Sequence, residues 1–353
     1  MSTPDVDHII AVHDESRPLA RAVGSVLRGT QADVRVTVVC HNIAVAAFAD
    51  ALSPFAGDTR LRVLELADGV RSPSGPFNAG LDAATARFTS IMGSDDELEP
   101  GAIDSWLALA ARSGAQAVLP RVRHADGTAV LTPPTRPGRT TGLDPVRDRL
   151  AYRSAPLGLI SRERFGDLRM PAGFASGEDI EYSTQVWFSG APLAFDRAGP
   201  AYLVHGDART RVTTVPRPVA QDAGPILQVL AHPLMEDMTE QERMALVVKI
   251  LRMNVLAWIL HRREPRPLPE ADVDALREVI AACRARAPRA QRVLSRTDMA
   301  ILDAIEAGRI DDALDAVSRR TSPAPATLLP RRLVDALRRE APLRYALASL
   351  RLR

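Results

Sequence analysis

Two acidic pairs are the residues of this 353-residue chain best suited to chemistry. Asp95 and Asp96 follow directly on a short apolar run, Phe88 to Gly93, and a Pro100-Gly101 pair then opens the next helical stretch. Carboxylates just past the end of a buried strand stand where open α/β sheets bind ligands. Two hard oxygen donors with no His or Cys beside them suit Mg²⁺ or Mn²⁺ rather than zinc. Such an ion is most useful when the substrate carries a diphosphate, so the pair points to a metal-assisted site for a nucleotide-linked donor. The same Asp-Asp-Glu run also reads as a polar turn before a helix, where carboxylates are common. The second pair, Glu178 and Asp179, follows Ser176-Gly177 at the start of a predicted helix, where the macrodipole favours ionised carboxylates. The plainer alternative is a helix capped by Ser176, with both acids merely complementing its dipole.

The elements that must position these acids alternate. His8 to Val12 reads as a short buried strand, and Ser16 as the cap of a helix through Leu19, Val23, Val26 and Leu27. Val34 to Val39 is a second strand, ending in Cys40-His41-Asn42; Ala44 to Leu52 is a helix and Leu61 to Leu66 a third strand. This β-α-β-α-β order predicts a parallel, doubly wound sheet. Its first turn lacks the Gly-x-Gly-x-x-Gly pattern of a dinucleotide fold, which argues against a nicotinamide or flavin enzyme. A Gly/Pro/Ser-rich loop from Ala67 to Pro76 leads into a helix from Asn78 to Ala86, and so to the Asp95-Asp96 strand. Leu193 to Phe195 begins an expected last strand pair that ends near Tyr202 and His205.

From about Val215 helical periodicity replaces strand patterns. Thr239-Glu-Gln-Glu242 is a capping box ahead of an apolar helix, Met244 to Leu260, which Lys249, Arg252 and Asn254 mark as a buried helix rather than a membrane span. Further helices are expected over Glu270 to Arg286 and Thr297 to Ala307, with a linker near 322–330. The last stretch, Arg331 to Arg353, sets leucines among many arginines, with Asp335 and Glu340 as its only carboxylates, and Pro342 splits it into two short helices. Such a segment suits an anionic membrane surface, its own domain or a second subunit.

Bulk composition narrows the class. Hydrophobic content of 46% and charged content of 25% describe an ordinary globular protein, and a net charge of +2 gives no electrostatic case for nucleic acid. Cys40 and Cys283 lie far apart with no Cys-x-x-Cys neighbour, so neither a disulfide framework nor a zinc site is expected, in keeping with a reducing cytoplasm. The first residues lack the basic and apolar regions of a signal peptide.

Four segments in order resemble the inverting glycosyltransferases of the family 2 type, which have the GT-A fold. They are Ile9-Ile-Ala-Val-His-Asp-Glu15, Asn78-Ala-Gly-Leu with Ala83 and Ala84, Gly93-Ser-Asp-Asp-Glu-Leu-Glu-Pro-Gly-Ala-Ile103, and Glu178-Asp179 with Tyr182, Trp187 and Gly190. The resemblance covers roughly residues 6 to 210 and implies a nucleotide-sugar donor and a hydroxyl-bearing glycan or lipid-linked acceptor. It implies that Asp95 or Asp96 holds Mn²⁺ or Mg²⁺, with His205 as a late metal ligand, and that Asp179, beside Glu178, is the base that deprotonates the acceptor. It places Ala11, His13, Glu15, His41, Asp68, Arg71, Asn78, Ser94 and Asp95 around the nucleotide-sugar, and Arg209 or Arg211 behind His205 as phosphate clamps. Plainer readings exist for several: Asp68 as a turn residue, Arg71 as a solvated arginine, Asn78 as a helix cap, and His41-Asn42 as an uncharged turn with Asn42 left-handed.

Two departures stand out. Family members often carry an acid at the position of Gly93, and the second strand often ends in an acidic pair where this chain has Cys40-His41-Asn42. The expectation is therefore a GT-A-like mixed α/β domain over 1–215 followed by an all-α domain over 216–353, acting as a metal-dependent inverting glycosyltransferase in cell-surface polysaccharide, wall polymer or glycolipid synthesis. A catalytically impaired nucleotide- or sugar-binding module, or a scaffold, is the competing reading. A nucleotidyltransferase is disfavoured, because His13-Asp-Glu-Ser-Arg-Pro is a poor phosphate loop.

Overall fold

A computed structural model describes residues 3–207, 217–320 and 324–350. The chain divides into two compact units. The first comprises Met1–Val130, Gly138–Leu143 and Ser154–Val215, and the second Leu131–Pro137, Asp144–Arg153 and Pro216–Arg353.

The first unit is built on a seven-stranded mixed sheet of order β3-β2-β1-β4-β8-β6-β9, where β1 is Val6–Val12, β2 Val34–His41, β3 Leu61–Leu66, β4 Phe88–Gly93, β6 Ala117–Pro120, β8 Leu159–Ser161 and β9 Leu193–Asp196. Strands β1 to β4 run parallel, and β8 is antiparallel to both of its neighbours. A strand covered on both faces needs no polar alternation, and β1 is accordingly buried along nearly its whole length. Val6, Ile10 and Val12 face one core with Leu19, Val23 and Val26 of helix α1 (Leu19–Gly29) and with Trp106. On the other face Ile9 presses on Gly80 of the Ser74–Asp82 helix, where an added Cβ would stand 2.3 Å from Ile9 Cγ2. Gly80 is thus required by close helix-strand approach.

Several expectations shift. Helix α1 begins after Pro18 with no side-chain cap; Ser16 instead donates its backbone N–H to Asp14 Oδ1 at 2.8 Å. The helix expected from Asn78 starts four residues earlier, at Ser74. The stretch from Ala44 to Leu52 is a 3₁₀ turn followed by a single α turn. The expected last strand pair is two strands in separate sheets, because β10 (Tyr202–Val204) joins β5 (Glu97–Leu98) and β7 (Val122–His124) in a small sheet of order β5-β10-β7. That small sheet carries β10 to the far side of the Asp95-Asp96 turn.

In the second unit the Thr239 capping box forms as its sequence dictates: Glu242 N–H donates to Thr239 Oγ1 and Thr239 N–H to Glu242 Oε2. The helix it opens continues through a π-helical segment, Ile250–Val255, to His261. By length and composition that helix is apolar enough to cross a membrane, but 67% of its most apolar window is buried within the protein. Residues 144–153, which sequence reasoning left in the first domain, pack here instead. Arg149 pairs with the buried Glu340 at 3.3 Å, and Arg252 donates to Tyr152 Oη and to the Glu340 carbonyl oxygen, each at 2.7 Å. Charged groups that lose water in this way need these partners. Pro342 does separate two short helical pieces, Leu333–Leu337 and Pro342–Leu350. Of the expected linker, residues 322 and 323 lie outside the described residues, and Pro325–Leu328 forms a helical turn.

Candidate active site

After β1 the chain winds outward through β2 and β3, then returns to place β4 on the other side of β1. The carboxyl ends of β1 and β4 therefore flank the point where strand order reverses, the usual ligand crevice of such sheets. Ala11 and Gly93 are direct partners across that pair, so two small residues line the floor of the crevice.

Past Gly93 the chain turns tightly, with Asp96 N–H donating to the Gly93 carbonyl at 3.2 Å and Ser94 buried beneath. The two carboxylates that follow are held by different elements. Asp95 Oδ2 pairs with Arg17 at 2.6 Å, a guanidinium buried in the turn before α1, and Arg21 of α1 donates to the Asp95 carbonyl. Asp96 Oδ2 accepts from the Tyr202 hydroxyl at 2.6 Å, and its Oδ1 accepts from the His205 backbone N–H at 3.2 Å. Tyr202 also receives the Gly93 N–H, at 3.3 Å. Burial first, and then the Asp96 charge, push the Tyr202 phenol well above its ordinary value, so it stays a donor. A Cβ at Gly93 would stand 3.0 Å from Asp95 Oδ1 and 3.2 Å from Asp96 Oδ2, so a side chain there would make both carboxylates shift by a few tenths of an ångström.

His205, expected as a late metal ligand, stands beside this turn. Its Nε2 lies 3.0 Å from Glu97 Oε2, and its backbone supports Asp96. Two residues on, Asp207 is clasped by Arg21 at 2.7 and 3.1 Å, and this hydrogen-bonded cation lowers the Asp207 carboxyl to about 2. Arg209 and Arg211 lie outside the described residues. Arg17, Arg21, Tyr202 and Asp207 were not singled out by sequence reasoning. An abundance of arginine hid the first two, and only the return of β10 to β5 brings the others to the turn.

At the neighbouring strand ends, His41 Nε2 approaches Asp68 Oδ1 at 2.9 Å. Asn42, left-handed at φ 56, accepts the Gly69 N–H at 2.8 Å and donates to the Val70 carbonyl at 3.1 Å. Backbone Val70 N–H and then His41 hold the exposed Asp68 carboxyl below its ordinary range. His41 and Asp68 thus join the ends of β2 and β3 in one polar edge. His13 is exposed at the mouth; partial burial of its ring, then the Arg17 charge, hold its pKa below the ordinary value, with His41 adding to this and Asp14 and Asp95 opposing it. Glu15 and Arg71 are exposed, and Arg71 makes no ion pair among the described residues. Asn78 is neither a cap nor turned to this edge: its amide donates to the Met170 carbonyl at 2.8 Å and accepts the Met170 N–H at 2.9 Å. It staples its helix to the segment that leads into Glu178.

That segment ends at Gly177, left-handed at φ 88, which starts the Glu178–Trp187 helix with no side-chain cap; Ser176 does not cap it. Glu178, Asp179 and Glu181 all fall in its first turn. Glu178 and Glu181 are buried, whereas Asp179 is half-buried. Of the expected pair, Asp179 is the carboxylate that reaches toward solvent.

The residues near Gly93 can hold a divalent ion only in part. Among the described residues no three His, Cys, Asp or Glu side chains stand together as a closed cage. Yet Asp95 Oδ1 lies beside Gly93, and among the described residues four carboxylates (Asp95, Asp96, Glu97, Asp207) gather with two guanidinium groups, Arg17 and Arg21. A cluster of carboxylates of this kind suits Mg²⁺ or Mn²⁺, which is commonly bound by one or two carboxylates plus substrate phosphates.

An α/β fold with a mixed sheet, an acidic turn at the switch point and a polar edge at the adjoining strand ends defines the GT-A class of transferase domains. Residues 7–168 match the model described as glycosyl transferase family 2, so this stretch of the first unit is a glycosyltransferase domain of that type. The succinoglycan biosynthesis protein ExoO of Rhizobium meliloti (strain 1021) is 34% identical over 115 residues, a match spanning 32% of this chain and 32% of that relative. The crystal structure of S. aureus TarS 1-349 in complex with UDP-GlcNAc superposes with a TM-score of 0.76 at 15% identity, covering 89% of this chain and 91% of that one. The S. aureus TarS structure of the longer chain gives 0.73 at 14% identity, covering 90% of this chain and 55% of that one. Coverage of this extent means the shared fold reaches beyond residue 215, further than the sequence resemblance did. Use of a divalent ion is general among GT-A enzymes of this family.

Proposed function

We propose that this chain transfers a sugar from a nucleotide-sugar, with inversion, to a hydroxyl of a growing polysaccharide or related cell-surface glycan. The observation that carries the proposal is the Asp95-Asp96 turn, clamped by Arg17 and Tyr202 at the switch-point end of β4. A TarS structure containing UDP-GlcNAc and the succinoglycan role in the ExoO name support this donor class and this kind of product. His41, Asp68 and Arg71 at the strand ends would meet the nucleotide, and the Ala11–Gly93 floor leaves room for its ribose. Asp179 would take the proton of the acceptor hydroxyl. The freed oxygen then bonds to the anomeric carbon from the face opposite the diphosphate, the bond from that carbon to the diphosphate oxygen breaks, and the nucleoside diphosphate leaves. Asp95, with Asp96 beside it, would hold Mn²⁺ or Mg²⁺, whose charge offsets that of the departing diphosphate. Buried thiols at Cys40 and Cys283 are in keeping with a cytoplasmic setting.

A second reading, a nucleotide-sugar-binding module or scaffold without turnover, is favoured by one observation: Arg17 and Tyr202 already occupy oxygens of both carboxylates. One experiment separates the two. Asp179→Asn should keep calorimetric donor binding while transfer falls about 10²–10⁴-fold. Undiminished transfer removes Asp179 as the base, turnover unchanged in EDTA removes the ion, and donor binding with no turnover in the unaltered chain establishes the module.

A further inference from the structure

We propose that the C-terminal face of the second unit, built from Leu333–Leu337 and the Pro342–Leu350 helix, docks on an anionic phospholipid surface. The proposal stands on this face alone and does not depend on the transferase reading. Eight large apolar side chains are exposed among the described residues, and six of them fall between Leu333 and Leu350. Exposed apolar side chains scattered singly mean little, but a cluster marks a contact surface. The Pro342–Leu350 helix is inverted relative to an ordinary surface helix. Leu343, Leu347 and Leu350, spaced i, i+4, i+7 along one stripe, are exposed, while Tyr345 packs inward on Tyr152 with ring centroids 4.7 Å apart.

Charge selects the occupant. The only carboxylates of the described part of this segment are withdrawn from the surface: Asp335 is buried against Arg338, and Glu340 is buried against Arg149. What remains outward is mainly leucine, Val334 and arginine. Among the described residues Arg292, Arg332 and Arg344 are paired with no carboxylate. An open cavity of about 460 Å³ lies within the face, lined by Arg292, Arg332, Val334, Asp335, Leu337 and Arg338, so that three guanidinium groups share it with one carboxylate, itself paired with Arg338. A second copy related by a two-fold axis would set this patch against itself, arginine toward arginine, with no exposed acid to answer it. Leucines that enter the headgroup region while arginines meet lipid phosphate are the pattern of an interfacial amphipathic segment.

The test is co-sedimentation of the full chain with vesicles of phosphatidylcholine alone and of phosphatidylcholine with roughly a third phosphatidylglycerol, at low and high salt. Binding is expected to the anionic vesicles only and to weaken with salt. Arg292→Ala and Arg332→Ala should each lower partitioning about fivefold. Leu337→Ser with Leu347→Ser should abolish it, with unchanged thermal unfolding because both side chains are exposed. Absent binding, equal binding to neutral vesicles, or binding indifferent to these substitutions overturns the proposal. So does a lipid-free oligomer that the leucine variant dissociates, which would assign the face to a second copy.

Discussion

Replacing Tyr202 by Phe removes one oxygen and leaves the ring, so the consequence can be worked from two contacts. The hydroxyl donates to Asp96 Oδ2 at 2.6 Å and accepts the Gly93 N–H at 3.3 Å, and the side chain is buried. Phe fills the same space, so no cavity term arises. A hydrogen bond to a charged group contributes about 1.5–3 kcal/mol, and the long Gly93 contact adds little. The expected loss is about 2–3 kcal/mol for the first unit. In a unit of this size each kcal/mol moves the midpoint by about 2–4 °C, so the transition should fall by roughly 4–12 °C. Thermal unfolding followed by circular dichroism, with urea titration as a second measure, reads this directly. A midpoint within about 1 °C of the parent would refute the reasoning. It would mean that Asp96 is held by the His205 backbone and solvent, and that the return of β10 is not what fixes the acidic turn.

His8 gives a pH prediction. It is wholly buried in β1, burial lowers its pKa to about 3, and neither ring nitrogen has a hydrogen-bond partner among the described residues. A pKa depressed below the unfolded value means that the unfolded chain binds the extra proton. Stability is therefore full above the unfolded value of 6.5 and drains away as pH falls from there toward 3. Between pH 6.5 and 5 the loss should approach about 2 kcal/mol, and His8→Leu should remove that share of the slope in urea titrations; an unaltered slope would show that His8 does not supply it. Arg17→Gln removes the cation competing for Asp95 Oδ2 and should tighten Mn²⁺ binding about tenfold by calorimetry; equal or weaker binding would show that Arg17 does not compete for the site.

The parallel half of the sheet was legible because its strands are continuous apolar runs separated by helical periodicity, signals that need no partner to be read. The acidic turn and the Glu178-Asp179 helix start were legible for the same local reason. The clamps were not. Arg17 and Arg21 look like any arginine in a chain with a single lysine, Lys249. Tyr202 meets Asp96 only because a three-residue strand leaves the main sheet and returns beside β5. Asn78 was misread because its helix begins at Ser74, within a loop whose Gly, Pro and Ser content suggests no helix. Residues 144–153 reach the second unit through Arg149 and Tyr152, whose partners lie at least a hundred positions later. Gly93 is the instructive case: it reads as a missing acid, and it stands beside Asp95 Oδ1 and Asp96 Oδ2, which a Cβ there would approach at 3.0 and 3.2 Å.

Release of nucleoside diphosphate from a panel of nucleotide-sugars, by the full chain and by Asp95→Asn with Mn²⁺ present, tests the central claim most directly. Release from at least one donor is expected, with a fall of about a hundredfold or more in the variant, the scale set by losing charge stabilisation at the leaving group. Release from no donor, or release undiminished in Asp95→Asn, would contradict it.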